Sequence, residues 1–165
     1  MAKQVGIGLI GAGFMGKAHS NAWDSVNQFF TLPREARMSM LAGTHDEELE
    51  GFARKWGWGG VTTEWHDVIA DESIGIVDVA TPNHLHREMS VAALEAGKHV
   101  VCEKPLAGTL DDARAMRDAA RKARRKGVHA WAWFNYRRCP AVAFAHQLVK
   151  SGRIGRIYHV RAQYL

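Results

Sequence analysis

Short apolar runs alternate with amphipathic stretches along most of this chain. Gln4 to Ile10 is an apolar run, and Phe14 to about Asn27 has helical spacing. Met38 to Ala42 is a second apolar run, followed by a helical pattern from Asp46 to Trp56, with Asp46 read as its N-cap. Val61 to Thr63 suits a short strand, and Ile74 to Ala80 a buried one. From about His84 to Ala96, Leu85, Met89, Ala93 and Ala96 share one helical face, and Gly97 ends the pattern. His99 to Cys102 is the next apolar run. Thr109 and Asp112 form a capping box for a helix ending at Gly127, and Val128 to Trp133 is a further strand. Pro140 opens a last helix that ends at Gly152. Strands alternating with helices predict an α/β fold, a doubly wound parallel sheet of Rossmann type with crossover helices.

The last residues differ. Tyr158, Val160, Ala162 and Tyr164 alternate with His159, Arg161 and Gln163, the period of a strand with one wet face. The earlier strands are apolar on both sides. Residues 1–153 are therefore expected to form one dinucleotide-binding domain. Residues 154–165 are expected to open a second, α+β domain that the chain does not complete, because a lone strand is no domain.

Gly11-Ala12-Gly13-Phe14-Met15-Gly16 sits between the first strand and the first helix. In that context the first glycine permits the tight turn, and the second lets a pyrophosphate approach the backbone. The third lets helix and strand pack closely, while the helix N-terminus offers its amides to the phosphates. Gly6, Gly8 and Gly11 match the same spacing, but they lie inside the strand and precede no helix start. The second strand ends Leu41-Ala42-Gly43-Thr44-His45, with glycine where an acid commonly binds the ribose hydroxyls. This leaves room for a 2′-phosphate, so the cofactor expected is NAD or NADP.

The 165 residues suffice for one domain with a real core, and 47% of them are hydrophobic. No stretch has the length of a membrane span, and the N-terminus lacks a signal-peptide profile. Cys102 and Cys139 lack metal-ligand spacing and read as reduced thiols of a cytoplasmic protein. The net charge is +5. Much of it lies in the run Arg114, Arg117, Arg121, Lys122, Arg124, Arg125 and Lys126. Leu110, Ala113, Met116, Ala120 and Ala123 recur there at helical spacing, so the run is read as the solvated face of a helix. Nucleic acid is not expected as a partner. His84 and His86 are two apart and no thiol or carboxylate cluster completes a set, so no metal is expected. His19 reads as a packing or hydrogen-bonding residue, and the tryptophans, Trp131 and Trp133 among them, as core or interface residues.

Four further segments join the phosphate loop. They are Thr81-Pro82-Asn83-His84-Leu85-His86, Glu103-Lys104-Pro105-Leu106, Phe134-Asn135-Tyr136-Arg137-Arg138-Cys139-Pro140 and Gly152-Arg153-Ile154-Gly155. In this order they resemble the glucose–fructose oxidoreductase / inositol dehydrogenase / MocA family along nearly the whole chain. The resemblance implies an NAD(P)-dependent dehydrogenase acting on a secondary hydroxyl of a sugar, anhydrosugar or polyol. Thr81, Pro82, Asn83 and His86 would contact the ribose and adenine side, alongside Gly43, Thr44 and His45. Glu103 and Lys104 would lie by the nicotinamide, Lys104 touching the substrate hydroxyl, and a cis Pro105 would aim that lysine. Asn135 and Arg138 would line the same region. A lysine desolvated beside a cationic ring loses its proton more readily and can help deprotonate an alcohol. The resemblance also implies a second domain, carrying an Asp and a His four apart and forming the subunit interface of a homo-oligomer. No such pair follows residue 150. A different class also fits, a non-catalytic dinucleotide-binding module that senses redox state or serves a partner. Lys104 argues for the enzyme.

Overall fold

The structure, a computed structural model, describes residues 3–44 and 46–163, with the side chains of residues 46 and 47 outside the description. It divides into two compact units, residues 1–133 and 134–165. The expected boundary after residue 153 falls inside the second unit.

The first unit is a six-stranded parallel sheet. Its strands are β1 (Gln4–Ile10), β2 (Glu35–Ala42), β3 (Val61–Thr62), β4 (Ile74–Val79), β5 (His99–Cys102) and β6 (Ala130–Ala132). Their order across the sheet is β3-β2-β1-β4-β5-β6. The chain thus reverses direction across the sheet between β1 and β4, and in doubly wound sheets ligands bind in the crevice beyond the strand ends at that point. The helices are α1 (Phe14–Phe29), α2 (Asp46–Trp56), α3 (Trp65–Ala70), α4 (His86–Glu95) and α5 (Leu110–Arg124). A 3-10 turn at Asn83–Leu85 precedes α4.

Alternation within β1 splits the core in two. Ile7 and Leu9 join Leu41, Leu49 and Trp58 on the α1–α2 face. Ile10 joins Val68, Val77, Val79, Met89 and Met116 on the α3–α4–α5 face. Both faces are covered, which is why these strands read as continuous apolar runs.

Several elements differ from the sequence reading. The strand β2 starts at Glu35, because its half-exposed first residues pair with β1 from Gln4 onward. The six-residue helix α3 was not anticipated, since its N-cap Glu64 makes no side-chain capping bond. Leu110 is exposed rather than part of the apolar face of α5, whereas Met116 and Ala123 are buried as expected. The Thr109 hydroxyl does cap α5, accepting from the Asp112 amide at 3.1 Å. In the second unit a 3-10 turn (Asn135–Arg138) leads into α6 (Pro140–Lys150). The alternating residues 158–163 adopt no regular structure, since a segment without a strand beside it has no ladder to join. Tyr164 and Leu165 lie outside the described residues.

The in-strand glycine pattern also has a structural reason. A Cβ on Gly8 would strike the Val68 side chain of α3 and approach Ile74 Cδ1 at 3.1 Å. Gly8→Ala should therefore cost about 1 to 3 kcal/mol, the usual range for an overpacked core. Urea unfolding checks this, and a variant within about 0.5 kcal/mol of the parent would contradict the packing argument.

Candidate functional site

A crevice of about 500 Å³ opens at the C-terminal ends of β1, β2 and β4. The phosphate loop forms its floor, and each glycine has a distinct reason. Gly11 has φ of +114°, and a Cβ there would lie 2.7 Å from the Ala80 carbonyl oxygen. Gly16 is buried, and a Cβ would collide with the Gly11 carbonyl, so the third glycine lets α1 seat against β1. Gly13 is the N-cap of α1, and a Cβ there would have nothing within 4 Å, so this side of the loop is open. Open space over a helix N-terminus whose first amides lack intrahelical partners is the geometry that receives a pyrophosphate. Phe14 is exposed and Met15 half-buried at the start of α1.

Gly43, Thr44, Thr81 and Pro82 line the crevice, joined by Glu48, Leu49, Thr63, Trp65 and Met89, which were not read as site residues. His45 lies outside the described residues. Gly43 is tightly packed, since a Cβ would meet Leu49 Cδ2 at 2.5 Å and Leu49 is buried. The missing acid at the end of β2 therefore reflects packing against α2, and an aspartate introduced there would have to displace core. A carboxylate is present nearby all the same, on Glu48 of α2.

His86 and Asn83 do not line this crevice, whereas His84 does. His86 is buried, with ring nitrogens 3.0 Å from the Pro105 carbonyl oxygen and 2.8 Å from that of Thr81. These contacts tie the segment after β4 to the loop after β5.

The Glu103-Lys104-Pro105 segment leaves the end of β5 beside β4, with the Glu103 amide donating to the Val79 carbonyl at 2.9 Å. The Lys104–Pro105 peptide is cis. Lys104 is exposed. Glu103 is buried, and its Oε2 accepts from the Lys104 amide at 2.9 Å.

Beneath this segment lies a polar cluster. Asp78, wholly buried in β4, accepts from the Trp23 indole at 2.8 Å and the Trp133 indole at 3.0 Å. His19 Nδ1 lies 3.1 Å from both Asp78 oxygens, and its Nε2 lies 3.2 Å from Glu103 Oε1. The two nitrogens point to opposite sides, so these three residues do not converge on one point as metal ligands would. Burial opposes a charge on His19, but the hydrogen bonds and charges of Asp78 and Glu103 outweigh it and hold the imidazole above its ordinary value of 6.5. Sequence reading gave His19 a hydrogen-bonding role. It missed Asp78, whose only signal was a charge inside the apolar run Ile74–Val79.

Cys102 is buried, and burial pushes its thiol up to about 12, which removes it as a nucleophile. Asn135 and Arg138 are exposed on the 3-10 turn of the second unit, with the Asn135 Oδ1 accepting from the Tyr136 amide. The basic residues of α5 are exposed, as read, and Arg114 and Arg117 pair with Asp111 and Asp118.

Glycine loop, strand order and crevice together define a Rossmann dinucleotide-binding unit. Residues 5–130 match the sequence profile of the oxidoreductase family with NAD-binding Rossmann fold (GFO_IDH_MocA), and the chain belongs to that family. It is 46% identical over 164 residues to levoglucosan dehydrogenase of Pseudarthrobacter phenanthrenivorans, covering 99% of this chain and 41% of that protein. Two solved structures are similar. An oxidoreductase domain protein from Kribbella flavida has a TM-score of 0.90 at 47% identity, over 93% of this chain and 41% of that one. Levoglucosan dehydrogenase in complex with NADH and levoglucosan has a TM-score of 0.87 at 45% identity, over 94% and 41%. This chain thus spans about two-fifths of its relatives' length. Among the described residues no helix is long and apolar enough to cross a membrane.

A histidine whose value is raised on folding adds stability that is fully present below its unfolded value, near 6.5, and is lost as pH rises through the folded one. The stability margin of the parent over His19→Phe should therefore be larger at about pH 6 than at about pH 9. Urea unfolding at both pH values measures it, and a margin that grows toward alkaline pH would contradict a charged His19.

Proposed function

We propose that this chain is the cofactor-binding half of an NAD-dependent dehydrogenase that oxidises a secondary hydroxyl of a sugar, anhydrosugar or polyol. The observation that carries the reading is the open space over Gly13 at the N-terminus of α1, on the same sheet edge as Lys104. The similarity to a levoglucosan dehydrogenase solved with NADH and levoglucosan supports the substrate class.

The phosphate loop would hold the pyrophosphate through the amides that open α1. Gly43, Thr44, Glu48 and Thr81 would surround the adenosine ribose. Among the described residues no lysine or arginine lines this crevice, and Glu48 would repel a 2′-phosphate, so NAD is favoured over NADP. This narrows the choice of NAD or NADP left open by Gly43, Thr44 and His45. When bound, the nicotinamide supplies the acceptor for the hydride leaving the alcohol carbon. Lys104 Nζ would accept the hydroxyl proton as the carbonyl forms. Residues beyond the matched region would complete the pocket and orient the substrate, and the subunit interface would lie there too. Glu103, with both oxygens engaged inside the protein, would act on Lys104 rather than on the ring.

Titration of the chain with NADH and NADPH, followed by cofactor fluorescence, tests this reading. NADH should bind more tightly than NADPH. Gly13→Val should remove NADH binding while leaving stability nearly unchanged, because the added side chain enters open space. Equal NADH affinity in parent and variant would rule out the proposed phosphate site.

A further inference from the structure

Two carboxylates, Asp78 and Glu103, are buried in the first unit, and among the described residues no lysine or arginine pairs with either of them. Such charges need a compensating partner. Asp78 accepts from the indoles of Trp23 and Trp133, which can only donate, one to each oxygen, and both oxygens also face His19 Nδ1. Glu103 Oε2 is taken by the Lys104 amide, which leaves Oε1 facing His19 Nε2. An imidazole with a carboxylate at each nitrogen is best satisfied as a double donor. The Trp133 ring packs against His19, centroid to centroid 5.2 Å and tilted by 53°.

The charged groups facing His19 are Asp78 from β4 and Glu103 from the end of β5. Its own helix contributes the Trp23 indole, and the residue after β6 contributes Trp133. The raised value of the imidazole agrees with this arrangement.

We propose that His19, as an imidazolium shared between Asp78 and Glu103, is a positioning residue: it fixes the Glu103 carboxylate that in turn fixes the Lys104 backbone. The proposal rests on the reading of Lys104 given above. Its consequence is a direct mechanical link. The helix that starts at the phosphate loop carries His19 in its second turn, and the same side chain anchors the peptide that presents the lysine. Cofactor phosphates and reacting hydroxyl would then be registered to one rigid unit. His86, bonded to the Pro105 carbonyl, holds the far side of the same loop. Without His19, Glu103 is free to turn toward solvent and the Lys104 amide loses its acceptor.

The test uses the whole chain and two nuclear magnetic resonance readouts. First, the ring nitrogens of His19 in the parent, at neutral pH, should both carry protons. Glu103→Gln keeps an oxygen for the Lys104 amide but turns an amide donor toward His19 Nε2, so it should strip that proton while the Lys104 amide stays protected. Second, in His19→Phe the Lys104 amide should exchange with solvent about tenfold faster or more, the order set by losing one hydrogen bond to a charged acceptor. Core amides such as Val77 and Val100 should keep their parent rates. A singly protonated His19 in the parent would overturn the proposal. So would an unchanged Lys104 amide in His19→Phe, or a loss of protection spread evenly over the core. If His19→Phe does not fold, the parent ring state and Glu103→Gln still decide. NADH titration of the parent runs alongside. Failure to bind would overturn the dehydrogenase reading, whereas the ring and amide results bear on the clamp alone.

Discussion

Asp78 sits in a central strand of the sheet with no exposed surface, and a carboxylate there must be surrounded by donors. Meeting that requirement draws together α1 through His19 and Trp23, the end of β5 through Glu103, and the residue after β6 through Trp133. The network lies beneath the sheet edge that carries the glycine loop and the Glu103-Lys104-Pro105 segment. A fully apolar strand would pack as well or better, since buried ion networks seldom add net stability. What this one supplies is a fixed geometry between elements that hydrophobic contact alone would leave free to slide.

The second constraint is close approach of backbone to backbone. Gly16 lets α1 rest on the Gly11 carbonyl, and Gly11 lets the loop pass the Ala80 carbonyl. These two contacts aim the N-terminus of α1 across the crevice between β1 and β4. Gly13 alone of the three is free of packing demands, so its lack of a side chain answers to what enters the crevice. Fold and binding site are thus separable at this loop, residue by residue.

Much of this was legible in the sequence. The strand–helix alternation, the glycine offsets and the segment after β5 are local patterns, and each sets local geometry. What could not be read was tertiary. His19, Trp23, Asp78, Glu103 and Trp133 meet only after the sheet forms, and a single charge in an apolar run was the trace they left. Gly43 was read for the room it leaves, together with Thr44 and His45, whereas its packing against Leu49 of α2 was not legible. The contacts of His86 with the Thr81 and Pro105 carbonyls were likewise not legible from its segment. The helix α3 was too short to carry a periodic signal, although Gly8 makes room for it from within β1.

One sheet edge would gather the glycine loop, the Glu48 side of the crevice and Lys104 around a nicotinamide dinucleotide. Mapping backbone amide shifts of the chain during NADH titration tests it most directly. The account requires saturable changes concentrated at Gly11 to Gly16, Gly43 to Thr44, Thr81 to Leu85 and Lys104. Changes confined to the basic face of α5, or an absence of saturable changes at the glycine loop, would contradict it.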